Sequence, residues 1–281
     1  MSAPEIIEND LPEGKSPFEL RVGNARGLHE SVVKNAIETG DVGFIHSYTT
    51  GSTVDGPGVR VVVWTAGCQW RCLYCHNPDT WNMMNGTPVT LERAFEGLRK
   101  YRHGLQMMKG GITISGGEPL MQDRFVARLC GGAKEMGLHT TIETNGFLSD
   151  RLSDAELDKI DLVMLGIKTW GSDRHRQLTG KDIEPTLAFA RRLAARRQPV
   201  WIRFVLVPGL TDDPEIVRGI AQFAAEQGNV ERVEVLPFHQ LGRFKWQELG
   251  LDYELADAAA PSAELAERTC EIFRAAGLEA Y

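Results

Sequence analysis

Six short apolar runs recur along the chain, at Val59–Trp64, Gly111–Ile114, Leu138–Ile142, Leu162–Ile167, Val200–Val207 and Val233–Leu236. Several are apolar on consecutive residues, the pattern of parallel strands covered on both faces. Helical patterns lie between them. Leu91, Phe95 and Leu98 share one helix face, and Ile216, Ile220 and Phe223 share another, opened by Asp213 and Pro214. Right-handed crossovers of such units give an open doubly wound sheet or a barrel, and six units suit a curved, incompletely closed barrel. Both architectures place ligands at the C-terminal ends of the strands.

Unusual residues collect at those ends. Cys68, Cys72 and Cys75 follow the first run, Ser115-Gly116-Gly117-Glu118-Pro119 the second, and Glu143-Thr144-Asn145-Gly146 the third. Lys168 ends the fourth, Arg203 lies in the fifth with Pro208-Gly209 beyond it, and Pro237-Phe238-His239 follows the sixth. A polar ring at one mouth of an α/β sheet is expected from this placement.

Three thiolates in one loop bind a metal centre without saturating it. A cubane of four irons held by three cysteines keeps one iron open to a ligand other than protein, and an open position does chemistry. A structural zinc site is the alternative, but it takes four protein ligands at repeated short spacing, and no second cysteine pair exists here. His76 adjoins Cys75 and is awkwardly placed as a fourth ligand. Cys130 lies on a helical pattern with Phe125, Val126, Leu129 and Ala133, and Cys270 has a similar setting; both read as buried structural thiols. The paired glycines of Gly116-Gly117 let backbone approach a ligand, and Glu118 offers a carboxylate to an ammonium. The same run also serves as a plain tight turn. No phosphate-binding GxxxxGK[ST] and no GxGxxG after a strand is present.

The 281 residues suffice for one catalytic domain, and a net charge of −7 argues against a broad grip on nucleic acid. No stretch is apolar enough to span a membrane, and Pro4, Pro12, Pro17 and scattered acids stand where a signal peptide would be apolar. With thiols kept for metal, a reducing cytoplasmic location is expected, with no nucleic-acid or membrane partner. Residues 1–42 read as a loosely ordered extension with one short helix, on the placement of Leu28, Val32, Val33 and Ile37, and residues 43–281 as the catalytic domain.

The CxxxCxxC loop with Tyr74 before its last cysteine, followed by GGE after the second strand, resembles the radical S-adenosylmethionine (SAM) superfamily. TVDGPGVR (53–60), GCQWRCLYCHNPDTW (67–81), ISGGEP (114–119), ETNGF (143–147), DLVML (161–165), VWIRFVLVPG (200–209) and LPFHQLG (236–242) are similar to pyruvate formate-lyase activating enzymes. The resemblance implies a partial (β/α)6 barrel of the radical SAM type. It also implies a 4Fe–4S cluster on Cys68, Cys72 and Cys75 and SAM chelated to its open iron. One-electron cleavage would then yield methionine and a 5′-deoxyadenosyl radical that takes hydrogen from a backbone glycine of a partner glycyl radical enzyme. The expected partner is pyruvate formate-lyase (formate C-acetyltransferase), an enzyme of anaerobic metabolism. No side chain is expected to act catalytically beyond the cluster and SAM.

By the same resemblance, Tyr74, Gly116, Gly117, Glu118, Lys168 and His239 match cofactor-binding positions, and Asp55, His76 and Arg203 match positions facing the partner's glycine loop. Each also has an ordinary reading: Lys168 as a solvated charge, His239 as a packed core histidine, Arg203 as a surface ion pair. The carboxylate of residue 143 and the backbone oxygens of Thr144 and Met164 form a candidate monovalent-cation site. The family's Asp-Leu-Lys is Gly166-Ile167-Lys168 here, and Glu143 replaces an aspartate, so a weakly bound cation is expected. A flavodoxin or ferredoxin-type reductant and a monomeric state complete the picture. The alternatives are activation of a different glycyl radical enzyme, or an iron–sulfur electron-transfer protein that cleaves nothing.

Overall fold

The computed structural model describes residues 29–281, so the expectations for residues 1–28, Leu28 among them, fall outside the described residues. Two compact units share the chain. The first comprises the described residues up to Gln69, with Thr80–Glu143 and Arg151–Asp161; the second comprises Trp70–Asp79, Thr144–Asp150 and Leu162–Tyr281.

The first unit contains α1 (Glu30–Thr39), β1 (Val42–Ser52), β2 (Arg60–Thr65), β3 (Thr87–Thr90), α2 (Leu91–Met107), β4 (Gly111–Gly116), α3 (Asp123–Glu135), β5 (His139–Thr144) and α4 (Asp154–Leu157). β4 pairs in parallel with β2 and with β5, while β1 lies antiparallel between β2 and β3. Val61, Val62, Val63, Ile112, Ile114 and Ile142 are all buried, which is why their runs are apolar without alternation. Helix α3 carries Phe125, Val126, Leu129, Cys130 and Ala133 inward, and burial pushes the Cys130 thiol up to about 12. Ala36 of α1 packs with Val42, Phe44 and Ala66, and Gly40 ends α1 in the left-handed conformation against the backbone of Arg124.

β1 and β3 are additions to the six strands read from the sequence. β1 escapes a search for apolar runs because only Val42–Ile45 is continuously buried, while His46, Ser47 and Tyr48 are half-buried and Thr49, Thr50 and Gly51 exposed. Gly43 is required within it, since a Cβ there would stand 2.4 Å from the Phe125 ring.

The second unit contains β6 (Leu162–Gly166), α5 (Ser172–Thr179), α6 (Glu184–Ala195), β7 (Val200–Leu206), α7 (Pro214–Gln227), β8 (Val230–Pro237), α8 (Arg243–Glu248) and α9 (Ala263–Ala275). β7 pairs in parallel with β6 and β8. Asp213 caps α7 through the Glu215 N–H with Pro214 at the first helical position, as its sequence signals. The chain end covers part of β8: Val233 and Val235 donate to the carbonyls of Glu279 and Tyr281. The Arg232 guanidinium lies 3.9 Å from the Trp201 ring centroid and 5.4 Å from that of Tyr281, closing an edge that would otherwise be open to pairing. Among the described residues no helix is long and apolar enough to cross a membrane.

One polar side chain organises the first unit from within. Arg60 is fully buried, and its guanidinium donates to the Thr113 and Thr141 hydroxyls and to the carbonyls of Pro57, Ile112 and His139. The Thr113 hydroxyl donates onward to the Asp55 carbonyl, so the loop before β2 is tied to β4. Burial without a directly paired carboxylate lowers the Arg60 pKa to about 10. Arg60→Met keeps the stem and strands these acceptors; it is expected to cost about 3 kcal/mol of stability, read as a shift of the urea midpoint at unchanged slope.

Candidate active site

In the first unit, β2 and β4 end side by side, and the turns that follow them are bonded together. Gly117 donates to the Thr65 carbonyl at 2.9 Å and Glu118 to the Gly67 carbonyl at 2.7 Å. Gly67 and Cys68 donate in turn to the carbonyls of Thr80 and Trp81, which fixes the entry to the cysteine loop. Gly116 has a φ of +121° and lies against the Thr65 backbone, where a Cβ would come within 2.3 Å of the carbonyl oxygen. A Cβ on Gly117 would stand 2.3 Å from the Gly67 carbonyl oxygen and 3.2 Å from Cys68 Cβ.

Glu118 is fully buried, and its Oε1 accepts from the Leu120 N–H, capping the short turn Pro119–Gln122. Glu143 accepts from the Ser115 hydroxyl at 2.7 Å, and Asp55 from the Ser52 hydroxyl at 2.6 Å. Sequence reasoning missed Gln122, which is buried and exchanges hydrogen bonds with Phe44 while donating to the Ala66 carbonyl. Its only sequence signal is a polar residue in an otherwise apolar setting.

In the second unit, the rest of the cysteine loop is held by its peptide groups. Arg71 and Leu73 donate to the carbonyls of Thr179 and Leu178 at the end of α5, and Cys75 turns back to the Cys72 carbonyl, each at 3.0 Å. Trp246 donates its indole N–H to the Cys75 carbonyl at 2.8 Å, and Lys245 reaches Asn77 at 2.7 Å and Asp79 at 3.0 Å. Neither α8 residue was anticipated, because nothing in the local pattern ties residues 245–246 to a loop some 170 positions earlier. Trp70 is buried edge-on against His175, ring centroids 4.9 Å apart, and the His175 ring Nδ1 donates to the Lys181 carbonyl. Burial lowers the His175 pKa, and the nearby Lys168 ammonium lowers it further.

His76 and His239 meet edge-to-face, ring centroids 4.6 Å apart. Tyr74 packs with Leu178, Val207 and Phe238, and its buried hydroxyl has no hydrogen-bond partner among the described residues. Arg203 pairs with Glu234 at 2.8 Å in a mostly buried ion pair between β7 and β8, rather than a surface one. Met164 sends its side chain into a cluster with Leu162 and Trp201. Thr144 is buried, and its hydroxyl accepts from the Gly146 N–H. Lys168 is half-buried. Burial pushes the Cys72 thiol up to about 12, while Lys168 and Arg71 pull it down and Cys75 pushes it up. Among the described residues no three His, Cys, Asp or Glu side chains stand at metal-holding spacing.

Residues 62–219 match the model of the radical SAM superfamily. The chain is 42% identical over 229 residues to the Pyruvate formate-lyase 1-activating enzyme of Escherichia coli (strain K12), covering 81% of this chain and 93% of that one. It is 44% identical over 229 residues to the Pyruvate formate-lyase-activating enzyme of Staphylococcus aureus (strain USA300), covering 79% of this chain and 91% of that one. The chain belongs to the radical SAM superfamily. In fold it is similar to Streptococcus suis SuiB bound to precursor peptide SuiA, with a TM-score of 0.60 at 17% identity over 80% of this chain and 48% of that one. A domain of pyruvate-formate lyase-activating enzyme from Bacteroides vulgatus gives a TM-score of 0.50 at 24% identity, over 61% of this chain and 98% of that one. The strand–helix repeat is thus the α/β fold of radical SAM enzymes, the partial-barrel class that the sequence pattern predicts.

Radical SAM enzymes use a 4Fe–4S cluster and SAM, and the cysteine loop supplies donors of the right kind for the cluster, although the thiols are not drawn together to metal-holding spacing. The three thiols form a soft, incomplete donor set. The bare glycines beside Cys68 leave backbone, not side chain, facing the loop. Gly117→Ala tests this crowding: the added carbon collides with the Gly67 carbonyl, and anaerobic reconstitution is expected to give less than about half the wild-type iron and sulfide with the far-ultraviolet circular dichroism unchanged.

Proposed function

We propose that this protein is a pyruvate formate-lyase activating enzyme. The observation that carries the reading is the identity to curated enzymes of that name across nearly their whole length, with the cysteine loop and the GGE turn strapped together at the strand ends. When bound, the cluster and SAM supply the one-electron reductive cleavage whose product removes hydrogen from a glycine of the partner.

Cys68, Cys72 and Cys75 would hold the cluster, and the chain's own work is to bind and orient. The backbone at Gly116 and Gly117, with Glu118 fixed by its own cap, would hold the methionyl end of SAM, and Lys168, Tyr74 and His239 would complete its site. His76, in contact with His239, would link that site to the partner's glycine loop, with Asp55 and Arg203 offering polar groups to peptide. Glu234 holds Arg203 in a mostly buried ion pair, which fixes the direction of its guanidinium. A flavodoxin or ferredoxin-type protein is the proposed reductant. The working form is a monomer in the cytoplasm, with residues 43–281 as the catalytic domain and residues 1–42 as an extension.

The test is anaerobic reconstitution, reduction, addition of SAM and quantification of 5′-deoxyadenosine, with Cys72→Ser as control. Wild-type protein is expected to release it and the variant to fall by at least about 100-fold, as for loss of a group the chemistry needs. An assembled, reducible cluster that cleaves no SAM, with or without pyruvate formate-lyase, would leave an electron-transfer protein instead.

A further inference from the structure

Gly166 closes β6 with ordinary strand backbone, so its missing side chain answers a demand for space and not for a left-handed φ. That space is occupied. A Cβ built on Gly166 would stand 2.8 Å from Lys168 Nζ and 3.1 Å from its Cε, with the Thr144 carbonyl oxygen 3.7 Å away. The Lys168 ammonium therefore rests over the bare Cα of the residue two before it. The ammonium also acts on the buried His175 ring, whose pKa, lowered by burial, it lowers further.

Among the described residues it makes no hydrogen bond or ion pair of its own. A half-buried ammonium with no carboxylate partner is an unfilled anion site, and the cofactor carries the matching carboxylate. We propose that Gly166 seats the Lys168 ammonium as a built-in cation for the SAM carboxylate, so that this chain binds SAM without a monovalent metal ion. The proposal rests on the reading of the site as a SAM site.

The seat is also a switch between two kinds of cation. A Cβ at 166 collides only with the far end of a flexible lysine, the Thr144 carbonyl oxygen being at ordinary contact distance, so it displaces the ammonium and leaves the strand backbone in place. A carboxylate there turns an anion site into an oxygen-lined cation site. Removing the ammonium while keeping the stem leaves the SAM carboxylate facing an empty seat next to the Thr144 carbonyl.

The experiment measures SAM affinity by equilibrium dialysis and 5′-deoxyadenosine yield on reconstituted protein, in tetramethylammonium buffer and then across a potassium titration. Wild-type protein is expected to change by less than about twofold in either readout. Lys168→Met and Gly166→Asp are expected to bind SAM about tenfold more weakly in tetramethylammonium, one lost charge-assisted contact, and to recover with potassium. Cluster absorbance and circular dichroism identify correctly assembled protein. Saturable potassium activation of the wild type beyond about fivefold would overturn the proposal while leaving SAM cleavage intact. Variants weakened but deaf to potassium would overturn it too, since a merely structural lysine gives that result. No cleavage by the wild type under any cation is the separate failure of the functional reading.

Discussion

The site depends on a loop with no secondary structure of its own being held by its peptide groups. A loop that carries thiols to a metal cannot also spend their side chains on packing, so its position has to come from the backbone. Cys68 is reached through Gly67 and Glu118, whose main-chain bonds fasten the ends of β2 and β4. Cys72 and Cys75 are bracketed by the carbonyls at the end of α5 and by the indole of Trp246. Each is a neutral hydrogen bond worth about 1 kcal/mol net, and several along one short segment fix it more firmly than any single contact can.

The same economy governs the polar residues around the loop. Glu118 caps a turn with its own carboxylate, and Arg203 lies along Glu234. A charge that is preorganised by one fixed partner keeps its geometry when a ligand arrives, which is what orientation of a reactive cofactor requires. Lys168 is the exception, being held by space above a glycine and by no partner among the described residues.

Much of this was legible in the sequence because buried parallel strands print themselves as unbroken apolar runs, and because chemistry collects where such strands end. All six runs are strands, within a residue or a few at each end; β8 extends to Val230–Pro237 because its outer residues are half-exposed and do not look apolar. β1 and β3 were illegible: one mixes glycine, threonine and serine with its buried start, and the other has four residues. Of the site, the three cysteines and the glycines were readable from spacing. Gln122, His175, Lys245 and Trp246 were not, since their partners are set by tertiary folding and no local period marks them. The role of Gly166 was half legible, as a missing carboxylate; that an ammonium fills the gap needed coordinates.

The most direct test of the central claim is electron paramagnetic resonance of pyruvate formate-lyase after anaerobic incubation with the reconstituted, reduced protein and SAM. The account predicts a glycyl radical signal on the lyase that grows with 5′-deoxyadenosine and disappears when the acceptor glycine is replaced by alanine. Cleavage of SAM with no radical on the lyase would contradict it and assign the chemistry to another partner.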